Sequence, residues 1–218
     1  MKTFMQKIRE KAKKAIVGAA IAGTLAMPMK AKADMNGSLE AIAGPTKQST
    51  YLRGNAFYQL PGKIGGYTFI ELYQGGNGYF GKSMLGREIK GGILAKGEIV
   101  HCNEPFSEAR LGLEAKLPTP KGTTLQVKAL PVCVDKDGKI VPRKVMVGYF
   151  ADVQLGKGWS ISSFGDFNAL QGGQWEYGEV SLKKYVWDGV SVAYNPALKA
   201  SGKLAPIIEH RVTLGIDF

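Results

Sequence analysis

The sequence is poor in the side chains that most often build metal and nucleophilic sites, since its 218 residues hold two cysteines and two histidines. It contains no Cys-x-x-Cys pair, no His-Glu-x-x-His motif and no Gly-x-Ser-x-Gly nucleophile turn. Cysteine and histidine together are too few for a zinc site made from them. The sequence therefore predicts no metal, no cofactor and no enzyme of these classes.

No apolar segment after residue 33 is long enough to cross a bilayer as a helix. Residues 1–33 differ from the rest, with a basic head, an apolar run over 15–29 and the exit Ala31–Lys32–Ala33. This order is typical of a secretory signal peptide, here cleaved before Asp34. The alternative is a membrane-anchoring helix, but the run falls short of the roughly 20 residues that a crossing needs. Pro28 also interrupts it.

The excess of positive charge is concentrated in this predicted signal peptide. The whole chain has a net charge of +11, but residues 1–33 hold eight basic residues and one acidic residue. Residues 34–218 therefore carry 21 basic and 17 acidic residues, a net charge of +4. Because strong basicity does not survive cleavage, no nucleic-acid partner is predicted.

Residues 34–218 alternate between apolar and polar side chains in steps of two, which is the pattern of a β-strand with one apolar face. The clearest segments are 52–60, 93–99, 109–117, 125–131, 145–155, 190–194 and 212–218. Their polar faces mix glycines with charges of both signs, as in the wet interior of a barrel. Aromatic residues near predicted strand ends suit interfacial girdles: Tyr58, Tyr67, Tyr73, Phe106, Trp159, Trp175, Trp187, Tyr194 and Phe218.

The breaks between the predicted strands alternate in length along the chain. The short set is 61–65, 88–91, 118–122, 156–158 and 188–189, and the longer set is 75–78, 102–105, 135–142, 168–173 and 199–206. Short periplasmic turns and longer outer loops are typical of transmembrane barrels. With a first strand at Ser38–Gly44, the sequence predicts an all-β, closed, antiparallel up-and-down transmembrane β-barrel of about 12 strands. Merging residues 79–101 into one strand gives the alternative of 10.

The last strand carries the most specific pattern, because Val212, Leu214, Ile216 and Phe218 are apolar at every second position. With the export signal and the amphipathic strands, it makes the chain resemble the bacterial outer-membrane β-barrel proteins, in particular small porin-like ones. The resemblance implies that these four residues form the signal read by the barrel-assembly machinery, and that outer-membrane lipid surrounds the barrel. His210 departs from the pattern, where an apolar or aromatic residue is usual.

The inward faces then predict a pore lined by six basic and four acidic side chains: Arg53, Glu71, Lys96, Glu98, Arg110, Glu114, Lys116, Lys128, Lys144 and Asp152. Because rings of charge decide which solutes pass, we expect passive passage of small solutes with a mild preference for anions. One alternative is a non-conducting structural or surface-binding barrel, in which the same charges pair and fill the interior. Another is a soluble periplasmic barrel that binds a small ligand between inward apolar faces. No loop is long enough to fold into a pore as in trimeric porins, so a monomer is expected.

Two further sets of residues have side chains capable of chemistry. Cys102 and Cys133 fall towards the same end of strands two apart, so either a disulfide or two free thiols is allowed in an exported protein. In size the chain resembles the twelve-stranded outer-membrane phospholipases, which place a catalytic His and Ser on the lipid-facing surface, and His210 lies on the apolar face of the last strand. Ser191 falls on the opposite, polar face of its strand, so no catalytic pair and no enzyme are predicted.

Overall fold

The computed structural model describes residues 34–46, 49–74, 78–103, 107–142, 144–170, 174–201 and 204–218. The predicted signal peptide, residues 1–33, lies outside the described residues. Within these ranges, no helix has the length and apolar character that a membrane crossing requires. The elements of the described chain are β-strands.

The strands follow one another around a single sheet, each antiparallel to the next. They are β1 Asp34–Ala43, β2 Tyr51–Leu60, β3 Ile64–Tyr73, β4 Tyr79–Lys90, β5 Ile93–Cys102, β6 Glu108–Leu117, β7 Thr123–Asp135, β8 Met146–Gly156, β9 Trp159–Asn168, β10 Gln174–Trp187, β11 Val190–Tyr194, β12 Ala197–Ser201, β13 Leu204–Glu209 and β14 Val212–Asp217. β14 pairs with both β1 and β11, which closes the sheet into a barrel.

Two pairs of these strands are halves of one longer strand. β11 and β12 both pair with β10 and are separated by Asn195 and Pro196, whose ring nitrogen has no hydrogen to donate. β13 and β14 run consecutively against them, on either side of His210 and Arg211. Counted this way, the described residues form a closed antiparallel barrel of 12 strands. The predicted fold class and strand number are confirmed.

The region 79–101, where the sequence left two strand counts open, forms two strands joined at Gly91–Gly92. The predicted break at 199–206 is largely wrong, because β12 and β13 continue through most of it. Its Gly, Lys and Pro residues favour a loop locally, but pairing of β12 with β13 overrides that preference. The strand ends are otherwise close to the predicted breaks.

The two ends of the barrel differ in the length of their connections. One end has tight turns such as Gly91–Gly92, Lys157–Gly158 and Asp188–Gly189, whereas the other has longer connections such as 44–50 and 136–145. Since transmembrane barrels place short turns on the periplasmic side, we call the short-turn end the inner rim and the opposite end the outer rim.

The two faces of the wall differ as the alternation predicts. Large apolar side chains such as Leu52, Leu111 and Leu214 are about half exposed, at 48%, 54% and 53%. The buried set instead contains charged residues such as Glu98 and Arg110. The apolar faces therefore point outward, as lipid requires, so the alternative of a soluble barrel with inward apolar faces is wrong.

The closing seam joins β1 to β14, with Ala41 opposite Leu214. At its inner end, Phe218 and Gly37 exchange backbone hydrogen bonds of 2.9 and 3.0 Å. A Cβ on Gly37 would lie 2.8 Å from the Phe218 ring and 2.7 Å from the backbone oxygen of Asn55. Because Gly37 has no side chain, the Phe218 ring can lie directly against its backbone.

Gly37→Ala is expected to destabilise this seam by about 1–3 kcal/mol, the usual range for overpacking. The free energy of unfolding in urea, followed by tryptophan fluorescence of the barrel in detergent, measures the effect. Gly65→Ala is the matched control, because the nearest atom to a Cβ there is Gln59 Oε1 at an ordinary 3.5 Å. Equal effects of the two substitutions would contradict the role assigned to Gly37.

Candidate functional site: the barrel interior

Buried polar side chains from the inward strand faces meet in two groups inside the barrel. We call the first the Arg53 cluster, which comprises Tyr51, Arg53, Glu71, Tyr177, Glu179 and Arg211. We call the second the Lys82 cluster, which comprises Lys82, Glu98, Arg110, Lys128 and Asp166. Together they take side chains from most of the strands around the wall.

The Arg53 cluster centres on one guanidinium that contacts two carboxylates. Arg53 Nε and Nη2 donate to Glu71 Oε1 at 2.9 and 2.8 Å, and Nη1 and Nη2 donate to the two Glu179 oxygens at 3.2 and 3.1 Å. Glu71 is the cross-strand partner of Arg53, on β3. Glu179 lies on β10. Between β10 and β2 the wall has three strands, if β11 and β12 are counted as one strand and β13 and β14 as another. Arg53 therefore links two parts of the wall across the interior.

A second guanidinium completes this cluster. Arg211, 2% exposed, donates from Nη1 to the hydroxyls of Tyr51 and Tyr177 at 2.8 and 3.0 Å. Its Nη2 donates to Glu209 Oε2 at 2.7 Å, while the Tyr177 hydroxyl donates to Glu179 Oε2 at 2.6 Å. The Arg211 guanidinium also lies over the Tyr51 ring, 5.5 Å from its centroid, a favourable cation–π arrangement.

The Lys82 cluster contains the ion pair that reaches furthest around the wall. Lys82 Nζ lies 2.6 Å from Asp166 Oδ2, and Lys128 Nζ lies 2.9 Å from Asp166 Oδ1. Glu98, 1% exposed, contacts Lys128 as well, and its Oε2 lies 3.8 Å from Lys82 Nζ. β4 and β9 are five strand spacings apart, or about 24 Å measured along the wall. The Lys82–Asp166 pair therefore also crosses the interior.

A glycine makes room for the Lys128–Asp166 pair. Lys128, Gly148 and Asp166 are direct neighbours on three adjacent strands. A Cβ on Gly148 would lie 2.3 Å from Asp166 Oδ1 and 2.4 Å from Lys128 Cε. The missing side chain lets the ion pair span β8.

The predicted pore-lining residues divide between these clusters and separate places. Arg53 and Glu71 meet in one cluster, and Glu98, Arg110 and Lys128 meet in the other. Lys144 is joined to the Lys82 cluster through Glu108, which contacts both Lys144 and Arg110 at 2.7 Å. The other four lie apart: Lys96 pairs with Glu114 at 2.7 Å, Lys116 is exposed near the inner rim, and half-buried Asp152 accepts a hydrogen bond from Gln154. That these ten side chains line a conducting pore stays a prediction.

Sequence reasoning missed four charged members of the clusters: Lys82, Asp166, Glu179 and Arg211. The same two-residue step places Arg211 on the polar face of the last strand, between apolar residues, and would also have placed Asp166 on the face of Ser160 and Glu179 on the face of Ser181. Two aromatic assignments were wrong, because Tyr67 and Tyr73 face the interior. Tyr67 donates to Asn55 Oδ1 at 2.7 Å, and Tyr73 donates to Glu71 Oε2 at 3.0 Å.

The interior ion pairs of the described residues contain equal numbers of basic and acidic side chains. Their ion pairs join eight basic side chains, Arg53, Lys82, Lys96, Arg110, Lys128, Lys144, Lys183 and Arg211, to eight acidic ones, Glu40, Glu71, Glu98, Glu108, Glu114, Asp166, Glu179 and Glu209. The ten predicted residues alone had suggested a cationic excess.

The two cysteines are free thiols, so the disulfide that the sequence allowed is absent. Arg110 on β6 is the cross-strand partner of both Glu98 on β5 and Cys133 on β7, so Glu98 and Cys133 lie at the same height in the wall. Cys102 lies four residues further along β5 than Glu98. The two Cα atoms are thus offset by two strand spacings, about 10 Å, and by about 13 Å along the strand. A disulfide needs Cα atoms within about 7 Å.

We expect the folded barrel to react with one equivalent of a water-soluble maleimide per chain. Cys102 is exposed, whereas Cys133 is buried in a small apolar group with Leu130 and Met146. Mass spectrometry should show one adduct on the native protein, none on Cys102→Ser, and two on the unfolded chain. A native protein that takes none until a reductant is added would instead show that the bridge forms.

Residues 76–83, "GNGYFGKS", fit the letter pattern of a phosphate-binding loop. That motif works as a loop leading into a helix, whose backbone N–H groups hold the phosphates. Here Lys82 and Ser83 lie inside β4, and the Lys82 ammonium group contacts Asp166. The segment therefore matches the motif in sequence only and does not have the structure of a phosphate-binding loop.

His210 and Ser191 do not form a catalytic pair. His210 is exposed on the outer wall, where its ring stacks on Tyr194 and its Nδ1 shares a hydrogen bond with the Tyr194 hydroxyl. Ser191 is 1% exposed and faces the interior. The two side chains lie on opposite sides of the barrel wall.

A closed 12-stranded antiparallel barrel with an apolar exterior and a charged interior is the architecture of the bacterial outer-membrane β-barrels. The chain has this fold. No protein-family model matches the sequence, and a search of the curated proteins finds no match.

Solved structures agree with this class. The chain is similar to a structure described as "KdgM porin", with a TM-score of 0.56, 8% identity, and coverage of 84% of this chain and 98% of that chain. The KdgM porin in complex with disordered oligogalacturonate gives a TM-score of 0.53 and 9% identity over 86% of this chain and 98% of that chain. At such identities the likeness concerns the fold alone.

Proposed function

We propose that the chain is an exported outer-membrane barrel that gives small solutes a passive path across the membrane. The observation that carries the proposal is the placement of charged side chains inside a closed wall whose exterior is apolar. A wall of this kind is stable in lipid, and a polar interior offers water and solutes a route that lipid does not. The fold shared with the KdgM porin is consistent with this function.

The path is expected to be narrow and weakly selective. Arg53 and Lys82 cross the interior to reach Glu179 and Asp166, and so divide its cross-section. We propose that the ten predicted residues line the path with these partners. Because the interior ion pairs balance in charge, the preference for anions is expected to be mild at most.

The proposal extends to export and assembly. Residues 1–33 direct export and are removed before Asp34. The terminal residues Val212, Leu214, Ile216 and Phe218 serve as the signal for the barrel-assembly machinery. Val212 and Leu214 are 55% and 53% exposed on the outer wall, which makes them accessible to a partner or to lipid. The barrel acts as a monomer and has no catalytic role.

The second candidate is a non-conducting structural barrel. It is favoured by the same cross-interior ion pairs, since buried charges that bond to each other can fill a small barrel. The two candidates differ in whether water and solutes pass between the Arg53 and Lys82 clusters.

A liposome-swelling assay separates them. Vesicles containing the folded protein are placed in iso-osmolar solutions of neutral sugars of increasing size, and protein-free vesicles serve as the control. We expect rapid swelling with small sugars and a steep loss of rate as sugar size grows. Absence of swelling from a protein whose gel mobility shows a folded, heat-modifiable barrel would favour the structural barrel.

A further inference from the structure

The inner rim carries a ring of lysines beside glycines. Among the five inner turns of the described chain, four contain this combination, at 61–63, 90–92, 120–122 and 156–158. The lysines concerned are all exposed: Lys63, Lys90, Lys121 and Lys157. The end of the barrel that meets the inner leaflet therefore presents a band of positive charge.

Two of these lysines occupy backbone conformations that suit glycine better. Lys63 has φ of 59° and Lys157 has φ of 50°, both in the left-handed region. Side chains with a Cβ meet steric repulsion there, and tight hairpin turns favour Asn or Gly at such positions. A long cationic side chain is thus held where glycine would fit with less strain.

The turn between β8 and β9 brings further groups to Lys157. Trp159, 41% exposed, opens β9 and lies on the outer face beside Ile161. Lys184 is the cross-strand partner of Trp159, and its Nζ lies 5.1 Å from the centroid of that ring. The same ammonium group donates a hydrogen bond to the Lys157 carbonyl. No ion pair among the described residues engages Lys157 or Lys184.

Trp159 and Lys184 lie on the outside of the wall, at the border between its apolar belt and the inner rim, and exposed Lys157 lies in the turn beside them. Leu155 and Leu182, on the adjoining strands, are 55% and 39% exposed and face the same way. A molecule bound there has its apolar part against the belt and its polar part at the two ammonium groups. A solute inside the lumen does not meet this surface.

We propose that Lys157, Lys184 and Trp159 form a site for the headgroup of an anionic phospholipid of the inner leaflet. The phosphate oxygens accept hydrogen bonds from the two ammonium groups, and the indole lies at headgroup depth, where tryptophan is favoured. Clusters of lysine attract anionic lipid surfaces, so Lys63, Lys90 and Lys121 add to the attraction around the rim. The site requires the barrel to lie in a bilayer but does not require its lumen to conduct.

Native mass spectrometry of the detergent-solubilised barrel tests the site by titration with phosphatidylglycerol and, separately, phosphatidylcholine. The unmodified protein is expected to retain phosphatidylglycerol more tightly. Lys157→Gln with Lys184→Gln is expected to weaken that binding by about fivefold per lysine removed. Replacing the same two residues by arginine should preserve it.

The matched control is Lys136→Gln with Lys139→Gln, which removes the same charge from the exposed connection between β7 and β8 at the outer rim. It should leave the binding of phosphatidylglycerol unchanged. Equal loss in both double variants, or equal retention of the two lipids by the unmodified protein, would overturn the site. Sugar-induced swelling should be the same for the rim variants and the unmodified barrel, so failure of the channel proposal would be seen separately.

Discussion

Asp166→Asn is expected to raise single-channel conductance and to make the barrel anion-selective. Asp166 accepts both the Lys82 ammonium group at 2.6 Å and the Lys128 ammonium group at 2.9 Å. Its neutralisation weakens the pair that crosses the interior and leaves an excess positive charge beside the path. A unit charge about 4 Å from a passing ion changes the free energy of that ion by about 1 kcal/mol in water. The permeability ratio of anions to cations should therefore rise about fivefold, as measured from reversal potentials in a KCl gradient.

Glu114→Gln is the matched control, because it removes one carboxylate from a pair that joins adjacent strands. Glu114 contacts Lys96 at 2.7 Å, with the two residues on β6 and β5. Its neutralisation should shift selectivity towards anions in the same direction without raising conductance. The same rise in conductance for both variants, or a fall for Asp166→Asn, would contradict the role of the Lys82–Asp166 pair as a constriction.

Arg53→Met is expected to lower the free energy of unfolding by about 3 kcal/mol. The substitution leaves Glu71 and Glu179 buried without the guanidinium that bonds to both. Breaking a buried ion pair by removal of one partner commonly costs about 3–5 kcal/mol. We take the lower end because the Tyr73 hydroxyl still donates to Glu71, and the Tyr177 hydroxyl and Arg211 still contact Glu179. Urea titration of the barrel in detergent, followed by tryptophan fluorescence, measures the change.

A triple variant separates the loss of the ion pair from the loss of packing. Arg53→Met combined with Glu71→Gln and Glu179→Gln removes the uncompensated charges while keeping side chains of similar size. It should regain most of the lost stability, since neutral amides are far cheaper to bury than carboxylates. A triple variant no more stable than Arg53→Met alone would show that the destabilisation comes from packing.

The local pattern of the sequence was sufficient to predict the faces of most strands and the order of most turns. The alternation around Arg53, Glu98 and Arg110 placed each of these side chains on the inward face, because a strand turns successive side chains to opposite sides. Glycine-containing turns such as Lys157–Gly158 marked the strand ends for a similarly local reason.

The pairing of charges across the interior could not be predicted in this way. Lys82 and Asp166 are 84 residues apart, and Arg53 and Glu179 are 126 apart. Which inward side chains meet depends on the curvature of the whole wall and on gaps such as the one at Gly148. The pairing of β12 with β13 could not be predicted either, because the Gly, Lys and Pro residues in 199–206 do not show the alternation of a strand.

Single-channel recording of residues 34–218 in a planar bilayer tests the central claim most directly. If the polar interior is a solute path narrowed by the two clusters, discrete conductance steps should appear in KCl, and the reversal potential in a salt gradient should be small. A protein that is folded and inserted, yet gives no steps above the bare bilayer, would contradict that claim.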